Sequence, residues 1–305
     1  MDTAMLLKNL QHPQGPVDMV LDTDTYNEID DQYAVAWMMK SPEKLNVKAI
    51  LAAPFFNSKS TSPADGMERS YQEILNLLRL MGREDFIPNV YRGSLDYLPD
   101  EKTPVDSDAA RKLVEISKEY TAEKPLYVAA IGAITNVASA LLMDPTMAER
   151  IVLVWLGGHA RHWPDNGEFN LRQDVAGARV VFGCGVPLVQ LPCMGVVSEL
   201  RATGPELAYW LKGKNPLCDY LYTHTCEEAE SYAAGKPWSR VIWDVSTIAW
   251  LLDEDGKFVK EYLTPAAIPE YDHKQVEDPT RHFMSYVYWV NRDAIFEEMF
   301  EKLVK

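Results

Sequence analysis

Apolar runs and polar breaks alternate along this chain with the spacing of strands and helices. Residues 17–21 are short, apolar and largely β-branched, interrupted only by Asp18, and read as a buried strand. Ala34, Val35, Met38 and Met39 then recur at helical spacing, which starts a helix at Asp30 and Asp31, where carboxylates cap exposed N–H groups. Residues 46–53 predict a second strand closed by Pro54, with Asn57 just past its end. An amphipathic helix follows over 64–81 and stops at Gly82. After a short strand at 89–92, the polar, proline-bearing stretch 93–104 reads as an exposed connector, a lid or a partner contact.

The middle of the chain alternates clearly. Strands are expected at 126–131, 151–156 and 186–191, with helices at 135–142 and 175–182. Such alternation makes an α/β fold, a mostly parallel central sheet flanked by helices. Residues 204–233 turn helical and rich in aromatics and acids, as a cap region would. Residues 241–252 return to the core with Asp244 placed to cap a helix; late strands at 258–263 and 285–290 and a terminal helix at 292–304 complete the pattern. With no repeat or linker, one domain over residues 1–305 is expected.

Composition narrows the function. A formal net charge of -15 over 305 residues argues against a nucleic-acid partner and for a small neutral or weakly charged substrate. Cys184, Cys193, Cys218 and Cys226 lack zinc or redox spacing and read as reduced thiols. No stretch approaches the length of a membrane span and the first residues lack a basic leader, so the expectation is a soluble cytoplasmic protein with no membrane partner.

The first strand ends in Asp22, Asp24, Glu28, Asp30 and Asp31. Two carboxylates about 4 Å apart repel by roughly 4 kcal/mol at an effective dielectric near 20, so a converging set needs a cation, protonation or solvent, of which a metal is the most economical. Caps and turn formers on a solvated edge explain one or two of these residues but not the DxD that precedes the pair. A second polar run, residues 157–174, offers His159, Asn166, Glu168 and Asn170 to hydroxyl groups, or is an ordinary loop satisfied by its own turn bonds. Trp243 beside Asp244 is either core or an aromatic platform, and His159 and His162 are candidate general acids or solvated loop residues.

These motifs, taken in order, resemble the inosine-uridine nucleoside hydrolase family: the DxD and DD of Asp22, Asp24, Asp30 and Asp31, then Asn57, the turn from Ile131 to Asn136, Glu168-Phe169-Asn170, and Trp243-Asp244. The resemblance implies the nucleoside hydrolase fold and hydrolysis of a ribonucleoside's N-glycosidic bond to ribose and free base. It implies Ca²⁺ held by Asp24, Asp31, Asp244 and the carbonyl of Ile131, with Asp24 as the base that activates a metal-bound water. Asp30, Asn57, Glu168 and Asn170 would grip the sugar, and a homodimer or homotetramer is implied. The chain departs from the family pattern in three places. The aspartate loop carries two more residues, so Asn27 or Glu28 could enter the site; Trp243 replaces a histidine, as in the purine-preferring branch; and His159 stands for an asparagine at the substrate's 5′ end, with Asn166 as its substitute. Two other readings stay open: a calcium-dependent ribose- or nucleoside-binding protein with weak turnover, and a haloacid-dehalogenase-type Mg²⁺ phosphatase opening on Asp22-Thr23-Asp24.

Overall fold

The apolar runs assemble side by side. In the computed structural model, which describes residues 1–305, the strands are β1 (Val17–Thr23), β2 (Leu45–Ala52), β3 (Val90–Arg92), β4 (Leu126–Ala130), β5 (Ile151–Leu156) and β6 (Leu188–Leu191). The short β7 (Arg201–Ala202) pairs with β8 (Arg240–Val241), and β10 (Ile268–Pro269) with β11 (Gln275–Val276). The late strands β9 (Val259–Pro265) and β12 (Phe283–Val290) join the main sheet, whose order is β3-β2-β1-β4-β5-β6-β12-β9. Every pairing in it is parallel except that of β12 with β9.

Side chains alternate between two buried faces, as a sheet covered on both sides requires. Met19 and Leu21 of β1 join Trp37, Trp250 and Phe296 from helices Asp30–Met39, Val245–Leu252 and Arg292–Leu303. Val20 faces the other way, toward Leu113, Val137 and Phe182 of helices Asp108–Ser117, Thr135–Met143 and Val175–Gly183. The chain runs outward from β1 through β2 to β3, then crosses back to place β4 on β1's other flank. Strand order therefore reverses between β1 and β4, and open α/β sheets bind ligands in the crevice at such a reversal.

Two elements depart from expectation. Helix Asp108–Ser117 was not anticipated; Ser107 caps it by accepting from the Ala110 amide, and Ala109, Ala110 and Leu113 supply its buried side. The stretch after β3 is not simply an exposed connector, because Ser94 is buried with its amide and hydroxyl both donating to Asn136 Oδ1, and Leu98 is buried beside it. The cap region forms helices Gly204–Trp210 and Pro216–Ala233. The second packs on the core through the Tyr33 hydroxyl, 2.9 Å from Thr225 Oγ1. No helix is long and apolar enough to cross a membrane.

Candidate active site

Asp24 follows the carboxyl end of β1 directly, and Ile131 follows β4, its amide donating to the Asp22 carbonyl at 2.9 Å. The next residue, Gly132, packs close: a Cβ there would stand 3.2 Å from the Asp24 carboxyl carbon and amide, tight enough to shift Asp24 by a few tenths of an ångström. Asp22 points away, into the sheet. It takes Asn136 Nδ2 at 2.8 Å, and burial pushes its carboxyl up to about 7.

The loop then delivers Asp30 and Asp31 to the first turn of helix Asp30–Met39, but not as caps. The N-cap is Ile29, without a side-chain bond. Asp30 instead accepts from the Trp243 amide at 3.2 Å and from Arg240 at 3.3 Å, while Asp31 accepts from the Thr23 hydroxyl at 2.5 Å. Asp244 corrects the capping expectation in the same way, since it holds the N-cap position of helix Val245–Leu252 and caps nothing. Its carboxylate converges with those of Asp30 and Asp31, one oxygen from each lying within 4.8 Å of the others.

Beside this trio, both carboxylate oxygens of Asp24 are buried without any hydrogen-bond partner. Burial first, then the charges of Asp31 and Asp30, push Asp24 well above the usual carboxylate range. Asp31 and Asp244 are raised by burial and then by Asp30. Asp30 is raised to about 6 by burial against the opposing pull of Arg240. All-oxygen donors that resist ionising together, with both Asp24 oxygens unpartnered, suit a hard divalent cation.

The opposite wall is built from the run after β5. Gly158, at φ +78, makes a turn that L side chains rarely adopt. Glu168 accepts from the amides of Gly158, Asn170 and Leu171 at 3.0, 2.8 and 2.9 Å, capping helix Phe169–Gln173, yet burial still lifts its carboxyl to about 7. Asn170 Nδ2 donates to the Leu156 carbonyl at 3.1 Å, and burial lowers the pKa of half-buried His159. Much of the loop is thus satisfied by its own turn bonds and still faces the cleft.

The two walls enclose about 220 Å³. Asp24, Asp30, Asp31, Ile131, His159, Glu168, Asn170, Trp243 and Asp244 all line it. Asn57 and Asn166 do not. Asn57 donates at 2.6 Å to Asn27 Oδ1, and Asn27, from the lengthened loop, occupies the cleft wall in front of it. Asn166 lies behind the glycine turn, accepting from the His159 amide at 2.7 Å. Glu28 also reaches the cleft. Arg240 was not foreseen: 11% exposed, it meets Glu28 at 2.6 Å, Asp30 at 3.3 Å and Glu228 at 3.4 Å, and no motif marks it.

A cleft at a sheet reversal thus gathers carboxylates suited to a cation and polar groups suited to hydroxyls. Comparison with known proteins sharpens this. Residues 19–281 match the family described as inosine-uridine preferring nucleoside hydrolase. The pyrimidine-specific ribonucleoside hydrolase RihA of Klebsiella pneumoniae (strain 342) is 27% identical over 265 residues, covering 77% of this chain and 79% of that protein. Among solved structures, the plant nucleoside hydrolase PpNRh1 superposes with a TM-score of 0.75 at 22% identity, covering 95% of this chain and 99% of that one. A purine-preferring ribonucleoside hydrolase from Gardnerella vaginalis gives 0.75 at 18% identity over 94% and 98%. The chain belongs to the inosine-uridine preferring nucleoside hydrolase family. It is therefore a hydrolase of ribonucleoside N-glycosidic bonds, of a family that binds a metal ion, and the phosphatase reading falls away.

Proposed function

We propose that the chain is a Ca²⁺-dependent nucleoside hydrolase leaning toward purine ribonucleosides, with Asp24 as general base. The observation that carries this is the Asp24 carboxylate, buried, partnerless and beside the Asp30, Asp31 and Asp244 cluster. Asp24, Asp31, Asp244 and the Ile131 carbonyl are the donors that would hold the ion. What calcium supplies when bound there is Lewis-acid polarisation of a water and oxygen coordination for vicinal hydroxyls. Asp24, its carboxyl pushed up first by burial and then by the charges of Asp31 and Asp30, takes a proton from the attacking water as the bond from the anomeric carbon to the base nitrogen breaks. Asp30, Asn170 and Glu168 grip the ribose, and fixing it at several points supplies much of the orientation the attack needs. Trp243, half-buried on the cleft wall, offers its ring to the leaving base, and a wider purine gains more from that face.

The test is release of reducing sugar from purified protein across purine and pyrimidine ribonucleosides, with Ca²⁺ or with chelator. Chelator-sensitive cleavage that favours inosine over uridine supports the reading. A preference for uridine, the direction in the name of the Klebsiella relative, overturns the purine part. Calcium-dependent nucleoside binding without cleavage makes this a binding protein. The same reading takes residues 1–305 as one domain acting as a homodimer or homotetramer, which light scattering and a single melting transition test.

A further inference from the structure

Of the aspartates that line the cleft, Asp30 is the one whose two oxygens are both held by the chain. Its Oδ1 accepts from Arg240 Nη2 at 3.3 Å and its Oδ2 from the Trp243 amide at 3.2 Å. Asp31 takes one such bond, from Thr23, and Asp24 none. A single donor leaves a carboxylate free to swing about its Cβ–Cγ bond, whose torsion is broad; one donor at each oxygen fixes its plane. A carboxylate offers about four acceptor sites, so Asp30 keeps two for a ligand in the cleft it lines.

Arg240 is itself held from several sides. The same Nη2 donates to Glu28 Oε2 at 2.6 Å and stands 3.4 Å from Glu228 Oε1. Glu28 belongs to the lengthened loop and Glu228 to helix Pro216–Ala233, where Lys59 shares it at 3.4 Å. A guanidinium is always charged and its planar head is pre-organised, so little freedom is lost per bond formed. Arg240 does not line the cleft. It reaches a bound sugar only through carboxylates that do.

We propose that Arg240 is a positioning residue for the hydrolysis: it fixes Asp30 in the orientation that accepts from a ribose hydroxyl, and Glu28 of the lengthened loop holds Arg240 in place to do so. The proposal rests on the ribonucleoside reading above, in which Asp30 grips the sugar. Without Arg240 the Trp243 amide alone retains Asp30, and the carboxylate turns among orientations that miss the hydroxyl. The loss is therefore orientational, the same for every base, and confined to the hydroxyl that Asp30 receives.

The test is a double-mutant cycle in steady-state kinetics with Ca²⁺, on Arg240→Met, Asp30→Asn and the two together, each assayed below its melting transition. Arg240→Met lowers kcat/KM about thirtyfold for purine and pyrimidine ribonucleosides alike, within the roughly hundredfold that a misplaced group costs. In the Asp30→Asn background it costs about twofold or less. Among competitors of inosine, Arg240→Met weakens only one of 2′-deoxyinosine and 3′-deoxyinosine, the one that keeps the hydroxyl Asp30 receives. Should Arg240→Met not fold, Glu28→Gln, which keeps the volume and removes a charge, gives a loss of about fivefold that Asp30→Asn likewise removes. Equal losses with and without the Asp30 carboxylate, equal weakening of the two deoxynucleosides, or a loss that depends on the base overturn the proposal and leave the hydrolytic reading standing. Should no nucleoside be cleaved, that reading falls, and the same cycle in the calorimetric Kd for inosine decides: coupling supports the positioning role, and additivity or absence of binding overturns it.

Discussion

Removing the metal makes this protein less stable as pH rises, and the size of the effect follows from its buried acids. Asp30 is raised from 3.8 to about 6 and Glu168 from 4.5 to about 7, burial being the largest cause for each. A carboxyl whose folded value lies above its unfolded one holds a proton in the native state that the unfolded chain has released. Its penalty is absent below the unfolded pKa, grows as pH rises between the two values and is complete above the folded one. For Glu168 alone the shift corresponds to about 3 kcal/mol at roughly 1.4 kcal/mol per unit. At about 2 °C per kcal/mol for a chain of this size, that is roughly 6 °C in Tm. Calcium at about 100 times its Kd returns about 2.7 kcal/mol, roughly 5 °C, and less at low pH, where protons compete for the same oxygens. The assay is differential scanning calorimetry at about pH 5 and about pH 8, in chelator or Ca²⁺, on the wild type and Asp244→Asn. The wild-type Tm in chelator falls from the lower pH to the higher, and Ca²⁺ restores it only at the higher. Asp244→Asn melts above the wild type in chelator at the higher pH and no longer responds to Ca²⁺. A pH-independent wild-type Tm in chelator, or an Asp244→Asn protein that melts lower there, would refute the electrostatic argument.

Asp24→Asn lowers kcat by about a thousandfold, the middle of the range for a general base, while its Tm in chelator does not drop; near-normal turnover would remove Asp24 from its role. Trp243→Ala raises KM for purine nucleosides roughly tenfold, as expected for losing a base-stacking face, with a smaller effect on pyrimidines; equal losses would mean the ring only packs. Arg240→Met strips the guanidinium from Glu28, Asp30 and Glu228 and destabilises by about 3–5 kcal/mol, the cost of leaving buried charge unpaired. Because Asp30 then takes up a proton more readily, this loss in Tm is larger near pH 8 than near pH 5, and a pH-independent loss would point to packing alone.

Much of the fold was legible because local pattern and tertiary environment agree. β5 matches its continuous apolar run residue for residue, since a strand buried on both faces needs nothing else. β1 extends past its apolar run through Asp22 and Thr23, because β2 pairs with both residues, β4 pairs with Asp22, and Asn136, distant in sequence, donates to one Asp22 oxygen. The helix at Asp108–Ser117 had a readable start in Ser107 and a readable apolar side; its amphipathic turns are short enough to pass for loop.

The site shows a different limit. Sequence put Asp30, Asp31 and Asp244 at helix starts, which is where they stand, but capping was the wrong task for them. A cap is satisfied locally, whereas these side chains turn to one another, to Thr23 and to the Arg240–Trp243 segment. Asn57 sits just past β2 as expected, yet the loop's added length carries Asn27 in front of it, so Asn27 is the amide that faces the cleft. Glu28 follows it inward and draws Arg240 to the rim. A motif conveys which residues converge only when the spacing between them is the usual one; here the longer loop leaves the aspartates in place and replaces what surrounds them. Glu28 of that loop, through its ion pair with Arg240 of β8, ties the aspartate loop to the strand that leads into Trp243 and Asp244.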